Sequence, residues 1–529
     1  MYGFFVSKKG IITDNYYKNL GYYEEPEPQG VYVLLRRIGE EIRINQDYSG
    51  SYGIYIYENK NKSNFIFSNS FLLLGEYLVG KHNFTINKDF ADTLIISGIC
   101  SPSVDETMIN EIKILPQNAF IIINIKKRIY KLYYIDYKEK TIPLESPEGM
   151  KIIDNWMDKW GYIIRSLLRK TKYITSDLSG GFDSRLVLSI LINSGINIKK
   201  ILINSIVGWK GHEEDLEIAT KISKKLGFKL NNLVFDNKGK EIKISDAFHY
   251  SMYAKLGFTN WFRSPKNFLN KPQFDFVGYG GENLRGYPRV TAKEYIEKTS
   301  RGYNKNFYNS SIRIFNRSIS FLKKQKTYYN DYELSADLYL KGRTKYHFGK
   351  TAMEVFLSNE YIIYPLLDPD INQIKYNICQ NSTLDLISYI FVRYGQNLIN
   401  FPFQGKRELS KQSLKKAEQL NGKYEQYKSK LDYNKNFFID DKRSIIINSE
   451  SSSKKEVNIN KYIEEIFNST KIKKNIHKFY DRDVYNKAIN VSEKTKSIVY
   501  KSSLLAVSKI IEIYLNNQNY YNNTKIINL

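Results

Sequence analysis

The chain has 529 residues, of which 42% are hydrophobic and 15% aromatic, which excludes a disordered or fibrous class and supplies more than one packed core. Its 80 Lys and Arg outnumber 55 Asp and Glu to give +25. These cations are spread along the chain without a clustered basic helix or an RNA-binding signature, so no nucleic-acid partner is expected, although ATP and an acidic substrate are favoured.

Cys100 and Cys379 are far apart and form no CxxC, which argues against a disulfide framework and a zinc site. The five histidines, His82, His212, His249, His347 and His477, show no metal-ligand spacing and read as structural or exposed. The opening MYGFFVSKKG has no charged leader ahead of an apolar stretch, and no apolar run approaches about 18 residues. A cytoplasmic protein without membrane insertion is the expectation.

In chain order, residues 1–142 alternate short apolar runs with turn signals, as in GVYVLLRRI, GSYGIYIYE, SNFIFSNS and NAFIIINI. They read as a β-rich sandwich with one helical stretch around Ser70 to Leu78. The segment TIPLESPEGM, with Pro143 and Pro147, reads as a linker. From about 150 the period becomes helical, and KYITSDLSGGFDSRLVLSILINSG reads as a buried strand, a Gly-rich turn and a helix. KKILINSIV, then EEDLEIATKISKKLG closed by Gly227, then LNNLVFD continue as strand, helix, strand, which predicts a doubly wound parallel sheet over 150–430 with a helical later part. Residues 431–529 contain the polar stretch SESSSKKE and read as a helical, Lys/Asn-rich extension without recognisable chemistry.

The segment Leu178 to Ser184 carries the clearest signal. A turn from a parallel strand into a helix aims backbone N–H groups and the positive helix end at one place, which suits an anion. Gly180 and Gly181 allow close approach of phosphate oxygens, and the hydroxyls of Ser179 and Ser184 add donors. Asp183 would repel phosphate unless a cation stood between them, so Mg²⁺ ligation is its most economical role. Asn204 and Ser205 end the second strand, where an open α/β sheet presents its ligand crevice. Asp215 and Glu217, in the helix that follows, are expected on its solvated face.

SGGFDS resembles the pyrophosphate loop of the N-type ATP pyrophosphatases, of the asparagine synthetase type, and differs from the GxxxxGK[ST] loop that transfers a terminal phosphate. The resemblance implies ATP and Mg²⁺ as cofactors, attack of a carboxylate on the α-phosphate, release of pyrophosphate, and displacement of AMP by an amine. A second run, FDFVGYGGENLRGYPR, resembles the family's Gly-rich, metal-binding turn at Gly278, Gly280, Glu282, Gly286 and Tyr287, with Glu282 where Asp is usual. Tyr279 precedes that acid by three residues, as a Tyr does in β-lactam synthetase, which implies a part in deprotonating the attacking amine. NEYIIYPLLDPDI is similar to a family segment with a catalytic Glu, which implicates Glu360, or Glu354 earlier, although the spacing is off by one. The family's phosphate-contacting Lys matches Lys406 best, with Lys411 next.

Glutamine-dependent members begin, after Met removal, with a nucleophilic Cys, and here Tyr2 stands in that place. The first 142 residues still resemble the family's N-terminal (Ntn) hydrolase sandwich, so a degenerate domain kept as scaffold is implied, as in β-lactam synthetase and the lasso-peptide macrolactam cyclases. The expected function is amide-bond formation between an adenylated carboxylate and an amine donor, peptide or small molecule, without glutaminase activity; an oligomer is compatible with the sequence. Peptide macrolactam (lasso-type) or other natural-product biosynthesis is the expected setting; amidation of a sugar acid in cell-surface glycan assembly and a non-catalytic nucleotide-binding homologue are the alternatives.

Overall fold

The computed structural model describes residues 1–19, 28–61, 64–97, 103–135, 142–208, 211–231, 239–256, 267–285, 290–300, 305–328, 330–374, 385–428, 432–439, 470–477 and 499–515, with isolated positions between 463 and 490. It is a mixed α/β protein with two principal layered regions.

The first region is antiparallel. Strands β1 (Tyr2–Ser7), β2 (Gly10–Thr13), β3 (Gly30–Ile38), β4 (Glu41–Gln46), β5 (Tyr55–Glu58), β6 (Phe65–Ser68), β7 (Ile112–Ile114), β8 (Ala119–Asn124) and β9 (Ile129–Tyr134) divide into two sheets. β6-β5-β7 forms the smaller one, and β2-β1-β3-β4-β8-β9 lies in the larger. Tyr130 sets its ring edge-on to Phe65 and Phe67, with centroids 5.0 and 5.4 Å away, joining the two sheets as a sandwich. The helix expected near Ser70 runs over Phe71–Leu78, and Ser70 caps it by accepting from the N–H of Leu73.

The chain later returns to this region. β16 (Phe438–Ile439) adds a parallel strand beside β2. The apolar helix Val499–Tyr514 packs on Phe71–Leu78: the Tyr514 ring lies 4.8 Å from that of Phe71, and its hydroxyl donates to the Phe71 carbonyl. Gly75 makes room for it, since a Cβ there would come within 2.7 Å of the Tyr514 ring. Phe438–Ile439 and Val499–Tyr514 are thus built onto the first region, while Asp432 and Asn434 bond to Arg165 and Ser166 of the helix that opens the second.

The second region is parallel. Helix Pro147–Leu168 opens with a Ser146 cap and proline in its first turn, and buries Trp156 and Trp160. β10 (Ile174–Asp177) follows, then β11 (Leu202–Asn204). A small antiparallel pair, β12 (Gly239–Glu241) and β13 (Asn267–Leu269), precedes β14 (Gln273–Phe276) and β15 (Glu360–Ile363). The sheet order is β11-β10-β14-β15, all pairs parallel. Of the predicted third strand, Leu230 makes one parallel bridge to Ile203, and residues 232–238 lie outside the described residues. Because the chain steps from β10 to β11 on one side and later to β14 on the other, the sheet has a switch point at the carboxyl end of β10.

The sheet's two faces differ in kind. Ile174, Phe274, Phe276, Tyr361 and Ile363 alternate onto an apolar face, and Phe4 of β1 reaches it, 4.8 Å from the Tyr361 ring. Thr175, Asp177, Gln273, Asp275 and Glu360 alternate onto the other. No helix among the described residues is long and apolar enough to cross a membrane.

Candidate functional site

At the switch point the chain leaves β10 at Leu178, whose N–H donates to the Asn204 carbonyl at 2.7 Å and so joins the ends of β10 and β11. Helix Phe182–Asn193 begins after Gly181, and no side chain caps its first N–H groups. The turn between is closed by its own hydroxyls: Ser184 Oγ lies 3.0 Å from Ser179 Oγ and 3.0 Å from the Ser179 N–H that donates to it, and Gly181 N–H donates to Ser179 Oγ at 3.2 Å.

The loop is held from behind by a residue that the sequence reading placed in solvent. Asp215 is buried at 4% exposure and accepts from Gly180 N–H at 2.7 Å, with Gln404 Nε2 and His212 Nδ1 each 3.0 Å from its other oxygen. The correction has a local cause. Helix Glu213–Leu226 turns Ile218, Ala219 and Ile222 into the core, and Asp215 stands one turn before Ile218 and Ala219 on that face. Glu217 does lie exposed, paired to Lys221. Gly180 has no room for a side chain, since a Cβ would meet Ile218 at 2.8 Å and Gln404 at 2.9 Å.

Arg185, fully buried, draws a distant segment to the loop. Its guanidinium donates to the carbonyls of Leu398, Phe401, Pro402 and Gly180 and lies 4.0 Å from the Phe403 ring. The turn Gln404–Lys406 is thereby brought beside Gly180, and Gln404 N–H donates to the Gly180 carbonyl at 2.9 Å. Lys406 ends this turn, and its side chain lies outside the described residues. Lys411 is exposed in the first turn of helix Lys411–Asn421. Sequence reasoning missed Arg185, Gln404 and Arg407; Gln404 and Arg407 stand beside Lys406 in FPFQGKR, while Arg185 directly follows SGGFDS.

The second Gly-rich run folds directly onto Asp183. After β14 the chain passes Gly278 and Tyr279, takes a left-handed φ of 94° at Gly280, and enters the short helix Gly281–Leu284. A Cβ on Gly278 would lie 2.8 Å from the Asp183 and Ser184 backbone, and one on Gly281 would lie 2.2 Å from Asp183 Oδ1. These two glycines let backbone close over a carboxylate. The contact brings Glu282 and Arg285 to Asp183, with Arg285 Nη2 donating to Asp183 Oδ2 at 2.7 Å. Burial pushes the Asp183 carboxyl up to about 6; Glu282 raises it too, and the Arg285 and Arg407 charges oppose the rise.

Polar valences are left open here. Asp183 Oδ1, Asn204 Oδ1, Ser205 Oγ and Asn283 Nδ2 are buried and have no hydrogen-bond partner among the described residues. Two carboxylates approaching one spot beside uncapped N–H groups fit Mg²⁺, which is commonly bound through one or two carboxylates together with substrate phosphates. Among the described residues no three His, Cys, Asp or Glu side chains form a cluster able to hold a metal on their own. Gly286 and Tyr287 lie outside the described residues.

Tyr279 stacks on Phe348, with centroids 4.3 Å apart at 20°, and lies 5.8 Å from Tyr364. It stands at the crevice end of β14. Glu360 does not stand at the crevice end of its strand: it begins β15, and the chain reaches Tyr364 and Pro365 roughly 13 Å further on at about 3.3 Å per residue. It belongs to the acidic face of the sheet with Asp275, whose carboxylate accepts from Thr175 Oγ1 at 2.8 Å, and with Asp177. Burial and Asp177 push Glu360 up to about 7, and burial, Asp177 and Glu360 raise Asp275 well above the usual carboxylate range. Glu354 is buried and paired with Lys255. The site therefore unites Leu178–Ser184, Asn204–Ser205, Gly278–Glu282 and the Gln404–Lys406 turn, and leaves Glu360 and Glu354 apart.

No family model matches the chain, and no curated protein matches it.

Proposed function

We propose that the protein is an ATP- and Mg²⁺-dependent, AMP-forming carbon–nitrogen ligase of the asparagine synthetase type. The observation that carries this reading is the closure of the Gly278–Arg285 turn on Asp183, which puts two carboxylates, two guanidiniums and the start of a helix around one point. Bound Mg²⁺ would neutralise phosphate charge and polarise the α-phosphoryl group.

The residues of the chain then have distinct tasks. The N–H groups at the start of Phe182–Asn193 and the Ser179 and Ser184 hydroxyls hold the leaving pyrophosphate, while Asp183 and Glu282 hold the cation. A substrate carboxylate oxygen bonds to the α-phosphorus as the bond to pyrophosphate breaks. An amine nitrogen then bonds to the activated acyl carbon and AMP departs with the electron pair. Tyr279, at the crevice end of β14, is placed to orient the incoming amine or take part in its deprotonation. The first sandwich is a degenerate Ntn-like domain: Tyr2, 50% exposed, offers no thiol or aliphatic hydroxyl for glutamine hydrolysis. An amine donor other than glutamine, peptide or small molecule, goes with this reading, and a biosynthetic modification such as peptide macrolactam formation is the favoured setting.

The test is pyrophosphate release from Mg·ATP with candidate acids, including peptides. The wild type should release pyrophosphate and AMP in equal amounts and hydrolyse no glutamine, and Asp183→Ala should lower release by at least about 10²–10³-fold. Undiminished release from Asp183→Ala would refute the mechanism.

A further inference from the structure

Arg285 occupies a position that the chemistry above leaves unassigned. It follows Glu282 by three residues, so the short helix presents both on one side, and its guanidinium bonds the carboxylate expected to take the cation. Asp183 is thus half-satisfied: Oδ2 accepts from Arg285, while Oδ1 is buried without a partner among the described residues. Arg407 lies near enough for its charge to be felt at the same carboxylate, and is itself held by two 2.7 Å bonds to Gln404. Two carboxylates therefore face two guanidiniums.

The charge balance restricts what can enter. A divalent cation alone can reach only the open Oδ1 while Oδ2 stays paired to Arg285, and it must then sit beside the Arg285 and Arg407 charges. A polyphosphate alone must approach two carboxylates. When both enter together, Asp183 and Glu282 face the cation, and the released guanidinium faces phosphate oxygens, for which its planar fork is suited. The Arg285 side chain is 16% exposed and already within hydrogen-bond reach of the loop residue, so rotation about its own bonds is enough to carry the fork from carboxylate to phosphate.

We propose that Arg285 is a positioning residue that holds Asp183 closed in the nucleotide-free protein and moves to the polyphosphate on loading, making Mg²⁺ and ATP binding mutually dependent. This rests on the ligase reading, but its consequence is a coupling between two binding events and requires no turnover. A purely structural ion pair would give stability without coupling.

The experiment is calorimetric titration of the full chain with Mg²⁺ alone, with a non-hydrolysable ATP analogue alone, and with the analogue at saturating Mg²⁺, using the wild type, Arg285→Gln and Arg285→Lys. In the wild type the analogue should bind on the order of tenfold or more tighter with Mg²⁺ than without it. In Arg285→Gln, Mg²⁺ alone should bind on the order of tenfold tighter than in the wild type, analogue binding at saturating Mg²⁺ should weaken, and the coupling should fall by a similar factor. Arg285→Lys keeps the charge without the fork and should fall between. Equal coupling in wild type and Arg285→Gln, with both binding the analogue, would overturn this proposal and leave the ligase reading standing. Failure of the folded wild type to bind Mg²⁺ with the analogue would overturn both.

Discussion

The crevice and the Lys255–Glu354 pair both take charged groups out of water, and they do it in opposite ways. Around Glu354 the charges are answered by protein: Lys255 pairs with it, and Lys350 donates to the carbonyls of Tyr52 at 2.5 Å and Asn69 at 3.0 Å. Burial brings Lys350 down to about 7; the Glu354 charge opposes that fall, and the Lys255 charge adds a little to it. Lys350 thereby fastens helix Lys350–Leu357 to the first sandwich, and Lys345 does the same through the Val104 carbonyl at 2.6 Å. In the crevice, by contrast, Asp183, Asn204, Ser205 and Asn283 each keep a buried polar atom without a partner among the described residues. Such atoms cost free energy unless something arrives to bond them. Charges that pair with one another across elements point to architecture, and several open polar atoms gathered at one switch point beside uncapped N–H groups point to a ligand.

The largest effect that tests this contrast is at Glu354. Glu354→Gln keeps the volume and leaves two buried ammonium groups without their carboxylate, which should lower stability by about 3–5 kcal/mol. Denaturant midpoints with unchanged slope would measure it. Loss of pyrophosphate release without loss of stability would instead make Glu354 catalytic and break the comparison.

Next comes Gly281→Ala. The added methyl meets Asp183 Oδ1 at 2.2 Å and its Cγ at 2.3 Å, so the carboxylate must turn away from where Glu282 and Arg285 meet it. Displacement on the order of 1 Å costs about 10²-fold in rate. Asp183 Cβ also lies 2.6 Å from the added methyl and cannot be moved by side-chain rotation, so backbone must shift as well and stability should fall by about 1–3 kcal/mol. A variant that is fully active, with the same Mg²⁺ dependence, would show that Asp183 need not be cradled.

These expectations also show what the sequence made legible. The strand–turn–helix around SGGFDS, the parallel strand after it and the second Gly-rich turn were readable, because each is written in local residue types: apolar runs of strand length, glycines, and an N-terminal helix acid; β15 was not, since it lies in the part expected to be helical. The pairing of Arg285 with Asp183 spans 102 positions and leaves no local mark. Asp215 was misplaced because it read with Glu217 as part of the helix's solvated face, and only the fold shows that it points at Gly180. The return of Val499–Tyr514 to the first sandwich was invisible for the same reason, since an apolar stripe says that something is covered and not what covers it.

The smallest effect concerns the acidic face, which contains charge of a third kind, with no cation paired to Asp275 or Glu360 among the described residues and with Glu360 at the start of β15. Glu360 ordinarily titrates near 4.5, and burial with Asp177 pushes it up to about 7 in the folded chain. A carboxyl raised on folding contributes nothing against unfolding while both states are protonated, below about 4.5; the folded state then loses stability progressively as pH rises through about 7. Glu360→Gln removes that penalty. It should be near neutral at pH 4.5 and stabilise by about 1–3 kcal/mol at pH 8, because each pH unit separating the folded from the unfolded titration is worth about 1.4 kcal/mol and the remaining Asp177 and Asp275 reduce the gain. Thermal midpoints of variant and wild type across this range should diverge as pH rises. Parallel curves would mean that Glu360 is ionised at no cost, and the acidic face would then have to be counterbalanced by groups outside the described residues. Pyrophosphate release at pH 7 should survive the substitution, because Glu360 begins β15 while Ser179–Ser184 follows the carboxyl end of β10; its loss would instead return Glu360 to the reacting centre and make the acidic face part of the crevice.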